Sequence, residues 1–428
     1  MSPRSCPAPT ASRWSRGLAM LWAACVLAAT TRALPALGDD AMPVRVLARS
    51  GHPKVVLAER PATTSATLYL DLAVGSVDDG ASLGLTRLTQ LTVLASGYEE
   101  LQQDTYAAGG ELHVYTEHQR ASYVLSAPPA EVEALAKRLV GLVLSPKLSP
   151  ASLERGKALA VQRSDHETES LFAGFLARTA VSKDGFAEDP AGDAELIRGI
   201  ELPAVRAHAA RWFTPANATI VVAGAFPARL GAALAAPSGG KRRTYPALGE
   251  SLAGDYKLAS SIELHLLAYP VALASPRAAA AAHVARALIG DRVQRTFRRR
   301  GVAYTSLTSI VRRPWLDFLL VVLPIRTDPA VPVAEYLAAE VDRVRDEPLG
   351  EDLNTAQSEA LAWLSSLDHS PELLAATLAA SGGDTTWLGR DVRTAISTLT
   401  EAELETTLGP ALARERAIHL LASPKGGH

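Results

Sequence analysis

Cysteine is almost missing from this sequence: the two present, Cys6 and Cys25, both stand near the N-terminus. No disulfide framework can therefore hold the body of the chain, which must rest on its own core. An excess of either charge is also missing, since 43 Lys and Arg stand against 45 Asp and Glu with the signs interspersed. That balance argues against a nucleic-acid surface. Long hydrophobic runs are missing too. The most apolar stretch, residues 18–30 (LAMLWAACVLAAT), is 13 residues long, whereas a bilayer span wants roughly 20.

What is present begins with an export signature. Arg4, Arg13 and Arg16 precede that apolar stretch, and small residues (Ala33, Ala36, Gly38) follow it. This order reads as a secretory leader over residues 1–38, with a periplasmic or extracellular destination and no membrane span in the mature chain. An uncleaved N-terminal anchor is the other reading of the same stretch. The roughly 390 residues that follow are enough for two ordinary domains. A hydrophobic content of 48% with 21% charged residues is that of a globular protein.

Alternation and helical spacing predict strands at 44–47, 54–58 and 67–73, then a helix over 83–95 closed by Gly97. A hairpin (111–116 and 121–127) and helices over 130–144 and 150–178 follow. After a loop at Asp189-Pro190 and Gly192 come a helix over 203–213 and a strand over 218–223. Residues 234–256, rich in Gly, Pro, Ser and charge, read as a linker. Beyond it the order recurs: a strand at 262–268, an Ala-rich helix over 277–297, strands at 303–311 and 316–325, and helices over 331–345 and 353–367. The expected class is α+β, with two units of similar element order at 39–233 and 257–428.

The helix GLTRLTQLTVLASG, Gly84 to Gly97, resembles the signature helix of the M16 (insulinase-like) zinc peptidases. In that family an HxxEH stretch supplies two zinc ligands and a glutamate that activates water, and i and i+4 share a helix face. The resemblance places Arg87 and Leu91 where the histidines stand and Gln90 where the glutamate stands. Arg87 has no lone pair to donate and carries a fixed positive charge. Leu91 offers only hydrocarbon. Gln90 cannot accept a proton as a general base. Two of the three protein ligands that a catalytic zinc site requires are therefore gone. The third would fall near Arg163, with Glu167 and Glu169 close by.

The rest of the resemblance is spread along the chain. Gly75-Ser76 is similar to the family's Gly-Ser step before the signature helix. Residues 109–116, with Leu112, His113, Val114 and Tyr115, resemble its substrate-side edge strand, although His113 and Val114 replace the usual Asn and Ala. The segment from Phe213 to Asn217 resembles a Tyr-x-Pro-x-Asn ending. Asn217-Ala218-Thr219 also has the form of a glycosylation acceptor, but its place in that turn makes it structural. Arg298 to Tyr304 resembles a segment that carries a substrate-positioning Arg and Tyr in the family's zinc-free subunits. Tyr304 matches directly. Phe297 stands at the usual arginine position, so Arg298 is the substitute and Arg295 the reserve.

The resemblance implies two LuxS/metallopeptidase-like domains, each an antiparallel sheet with helices packed on one face. It also implies a pseudo-peptidase with no cofactor of its own that holds an extended peptide for a zinc-bearing HxxEH partner subunit. Two other readings stay open: a stand-alone periplasmic peptide-binding or scaffold protein, and a peptidase with a relocated metal site using His113 and His118 or His166. Against each functional reading stands a plainer one. Arginines at the end of a helix suit its dipole. Ten histidines produce chance pairs. Asp165-His166 beside Ser164 and Ser170 is a polar helical face.

Overall fold

A computed structural model describes residues 44–163, 190–243, 253–259, 263–303, 305–312, 317–325 and 332–423. Residues 1–43 and 164–189, Tyr304 and the remaining short gaps lie outside the described residues. In chain order the first sheet's strands and their helices are β1 (Val44–Leu47), β2 (Lys54–Glu59), β3 (Ala66–Leu72), α1 (Leu85–Ala95), α2 (Tyr98–Ala107), β4 (Glu111–Thr116), β5 (Ala121–Ala127), α3 (Val132–Leu144), α4 (Pro150–Arg163), α5 (Ala194–Gly199), α6 (Leu202–Trp212), β6 (Ala218–Gly224) and α7 (Leu230–Leu234). The second series is β7 (Gly254–Ala259), β8 (Glu263–Val271), α8 (Pro276–Arg299), β9 (Leu307–Arg312), β10 (Asp317–Ile325), α9 (Val333–Asp346), α10 (Glu351–His369), α11 (Pro371–Ala380), α12 (Arg390–Ser397), α13 (Glu401–Leu408) and β11 (Ile418–Ser423).

The α+β class is as expected, but the sheets are not purely antiparallel. The first runs β1-β2-β6-β3-β5-β4 and the second β7-β11-β8-β10-β9. In each, one pair is parallel: β2 with β6 and β7 with β11. Both pairs join segments distant in sequence, because a parallel pair needs a long crossover. The hairpin of β4 and β5 falls where alternation placed it, in register from Glu111 opposite Ser126 to Thr116 opposite Ala121.

Helices do not cover only one face of the first sheet. Leu68, Leu70, Ile220 and Val222 face the cluster that includes α1 and α3. Their neighbours Val56, Ala58, Val221 and Ala223 point the other way, into a core shared with Leu374, Ala375 and Leu378 of α11. Strand alternation thus gives each strand two buried faces. The second half of the chain closes the first half's sheet.

Gly97 does not cap the signature helix as expected. Ser96 is the C-cap, and Gly97 sits in a non-left-handed conformation (φ −158°) as the N-cap of α2. The polar composition of α2, YEELQQDTYA, hid this helix from periodicity. The strand β7 begins within the stretch read as linker, and β11 was not predicted.

Helix α1 crosses α4 closely. A Cβ built on Gly156 of α4 would lie 2.5 Å from Thr92 Oγ1 and 2.9 Å from Thr92 Cα. Gly156→Ala should therefore reverse the usual helix gain of about 1 kcal/mol, because the helices must move apart. A net loss of about 1–2 kcal/mol is expected. Urea unfolding of the two proteins would read it as a lower midpoint, and an unchanged or raised midpoint would contradict the close crossing.

Candidate functional site

The N-terminus of α1 is fixed by a network built from short-range and distant groups. Gly84, the N-cap, has φ +89°, and a Cβ there would press on Ile197 and on the backbone of Gly192. Only glycine meets both conditions without strain. Asp79 accepts from the backbone N–H groups of Gly84 (2.8 Å) and Thr86 (2.7 Å), satisfying donors that a helix start leaves open. Burial pushes its carboxyl up to about 6 despite those bonds. Thr86 Oγ1 donates to the carbonyl of Gly75 (2.9 Å) and lies 2.9 Å from His208 Nε2. A hydroxyl has one hydrogen, so the imidazole Nε2–H donates to Thr86. Burial, then Arg211, pull the His208 pKa down to about 4, which keeps the ring neutral.

Gly75 itself packs against the hairpin turn: an added Cβ would fall 2.3 Å from the backbone carbonyl of His118. Ser76 N–H donates to Glu117 C=O and Val77 N–H to His118 C=O, each 3.1 Å. The Gly-Ser step thus joins the turn of the hairpin to the start of α1.

Further along α1, all three degenerate positions are buried: Arg87 is 2%, Gln90 1% and Leu91 2% exposed. Leu91 belongs to the apolar core of the first half. Gln90 is committed to the hairpin. Its Nε2 donates to the carbonyls of Ser122 (2.9 Å) and Tyr115 (3.1 Å), and its Oε1 accepts from Thr116 Oγ1 (2.6 Å). Tyr123 Oη donates to the Gln90 backbone carbonyl (3.1 Å). Both amide hydrogens and the amide oxygen are in use, so the side chain works as a cross-link between helix and sheet.

These residues do not fit a zinc ion. A guanidinium repels it, an isobutyl group has no donor atom, and the carboxamide oxygen is occupied by Thr116. Among the described residues, no group of three or more His, Cys, Asp or Glu side chains converges in a way that could hold a metal. The side chain of Arg163 is not among those described, and Glu167, Glu169, His166, Ser164 and Ser170 lie outside the described residues. His113 is 3.0 Å from Glu111 Oε2 on the open face of β4, while His118 is buried in the hairpin turn. Among the described residues no third donor is brought to the pair.

The hairpin places β4 at the edge of the first sheet, as its sequence suggests. Leu112, Val114 and Thr116 are buried, whereas Glu111, His113 and Tyr115 are exposed or half-buried on the opposite face. Alternate backbone N–H and C=O groups of such an edge point away from the sheet. The strand therefore has one anchored face and one accessible face, with its edge braced through Gln90.

Arg298 is exposed in the last turn of α8. That helix closes by paired bonds from Gly301 N–H to Arg298 C=O and from Val302 N–H to Phe297 C=O, with Gly301 at φ +69°. This is a Schellman ending, and the arginines sit where the helix dipole favours cations. Phe297, at the position of the family arginine, is fully buried. Arg295 pairs with Asp291 and, at 3.8 Å, with Asp352. Tyr304 lies outside the described residues, so no geometry joins it to Arg298.

The architecture has close counterparts among solved structures. A peptidase M16 inactive domain from Pseudomonas fluorescens aligns with a TM-score of 0.70 and 19% identity, covering 90% of this chain and 98% of that one. A protease from Helicobacter pylori gives a TM-score of 0.72 at 14% identity, covering 89% and 99%. This is the M16 peptidase fold. The first half of the periplasmic protease PqqL from Escherichia coli aligns likewise, with a TM-score of 0.67 and 13% identity over 89% of this chain and 91% of that fragment. No family model and no curated protein matches the sequence. Among the described residues no helix is long and apolar enough to cross a membrane.

The sequence did not single out Asp79 or His208. Asp78-Asp79-Gly80 reads as a turn, and a lone histidine on an amphipathic helix carries no signal until its partner is known.

Proposed function

We propose that this chain is an inactive M16-like protein, exported from the cell, that holds an extended peptide at the edge of β4 while a zinc-bearing HxxEH partner supplies the hydrolytic water. The observation that carries this reading is the commitment of Gln90. The residue aligned with the catalytic glutamate spends its whole amide on bracing the hairpin whose outer strand is accessible. Catalytic chemistry has been exchanged for structural support, and the peptide-facing edge has been kept. A peptide added there would bond through its main chain, with side chains alternating between the two faces. In this reading Arg298 and Tyr304 position the peptide, and zinc belongs to the partner alone. The inactive-domain neighbour and a neighbour described as a periplasmic protease support the reading by analogy of fold.

Purified alone, the protein is expected to contain far less than one zinc per chain by elemental analysis and to show no EDTA-sensitive cleavage of an unstructured peptide such as casein fragments. Stoichiometric metal together with chelator-sensitive activity would overturn the proposal. Co-purification separates the paired subunit from a stand-alone binding protein. Recovery of a second M16-like chain with intact HxxEH supports pairing, whereas peptide binding by the lone chain, with no such partner recovered, favours the stand-alone form.

A further inference from the structure

An open pocket of about 480 Å³ is lined by Arg211, Trp212, Lys241, Arg242 and Arg243. Its two walls come from the end of α6 and from a segment that begins 29 residues later in the chain. One buried side chain holds them together. Asn217, 1% exposed, donates from Nδ2 to the carbonyls of Trp212 (2.9 Å) and Ala73 (3.3 Å). Its Oδ1 accepts from the backbone N–H of Arg243 (3.0 Å). The carboxamide thus fixes the indole and the basic run relative to each other.

The charges are then placed individually. The guanidinium carbon of Arg211 lies 4.5 Å and that of Arg243 5.7 Å from the Trp212 ring centroid. Arg243 also pairs with Asp78 at 2.7 Å. Arg242 donates to Thr219 Oγ1 at 3.0 Å, a neutral partner. No described carboxylate lies within ion-pair distance of Arg211, Lys241 or Arg242. Three cations thus line the open pocket without a described carboxylate partner, beside the Asp78-paired Arg243. The excess is felt by neighbours: after burial, Arg242 is the next cause holding the Lys54 ammonium down, and Arg211 acts likewise on His208.

A helix end with exposed arginines is ordinary. Arg211, Lys241 and Arg242, held beside an aromatic ring through a buried amide and with no described acid partner, are not explained by solvation of that helix end. We propose that this cavity binds a phosphate-bearing anion of two or more charges. Guanidinium forks and an ammonium suit phosphate oxygens, and the indole face covers the less polar part of the ligand. The same chemistry is offered by a soluble diphosphate and by the headgroup of an anionic phospholipid. This site is independent of the peptide-binding reading.

Titration calorimetry of the purified full chain with inorganic pyrophosphate is the test. Saturable binding is expected, weakened at least tenfold in Lys241→Ala/Arg242→Ala, with the thermal midpoint unchanged. The control Lys147→Ala/Arg198→Ala removes the same charge from exposed positions elsewhere and should bind as the parent does. Sedimentation with phosphatidylglycerol vesicles, against phosphatidylcholine vesicles, then identifies the source. Vesicle binding lost in the first pair points to a lipid headgroup, and its absence beside pyrophosphate binding points to a soluble phosphate. No saturable pyrophosphate binding, or equal weakening in both double variants, overturns the proposal.

Discussion

Gln90→Glu, which puts a glutamate where the M16 resemblance expects one, should destabilise this protein by about 3–5 kcal/mol at neutral pH, as expected for a buried and uncompensated carboxylate. Gln90 Nε2 now donates to two backbone carbonyls, of Ser122 and Tyr115. A glutamate would put a second oxygen there, with no hydrogen to offer while ionised. Protonation relieves part of the conflict by supplying one hydrogen, so the new carboxyl should titrate well above the ordinary carboxylate range. A group whose folded pKa is raised stabilises below its unfolded value and loses that contribution as pH rises through the folded one. The penalty should accordingly be smaller at pH 5 than at pH 8. Thermal melts of parent and variant at both values provide the comparison. A variant as stable as its parent at pH 8 would show that the glutamine is a placeholder and not a brace.

Asp79→Ala is expected to produce the second-largest effect, with an inverted pH dependence. Removing the carboxylate strands the Gly84 and Thr86 N–H groups at a buried helix start, a loss of about 2–4 kcal/mol. Because burial raises the Asp79 pKa to about 6, its contribution is full below the unfolded value near 4 and declines as pH rises through about 6. The shift corresponds to about 3 kcal/mol across that window. The substitution should therefore be more harmful at pH 4.5 than at pH 7.5. His208 works in the opposite sense. Its pKa, lowered to about 4, gives stability that is present at neutral pH and lost as pH falls from about 6.5 toward 4. Only the difference between parent and variant isolates Asp79. Denaturant unfolding at the two pH values measures that difference, and a larger cost at pH 7.5 would show an ordinary ionised cap.

Much of the first half was legible in sequence because its signals are local. Alternation across residues 111–127 and helical spacing across 85–95 report which faces are apolar, and both elements form where those patterns lie. The elements that were missed lack such a signal. Helix α2 is too polar to show a stripe. Strand β11 enters between β7 and β8 at the far end of the chain, and nothing in its own six residues states its neighbours. Helix α11 buries Leu374 and Leu378 against a sheet formed some 150 residues earlier, so its role depends on the assembled first half.

That Arg87, Gln90 and Leu91 cannot act as a His, Glu and His set was legible in sequence alone, because donor atoms belong to side chains whatever the conformation. What these residues do was decided only in three dimensions. Gln90 meets Tyr115, Thr116 and Ser122 because the hairpin folds against α1, and Asn217 joins Trp212 to Arg243 because β6 brings distant segments together. Hydrogen-bond partners are set by position in space, and no local pattern encodes them.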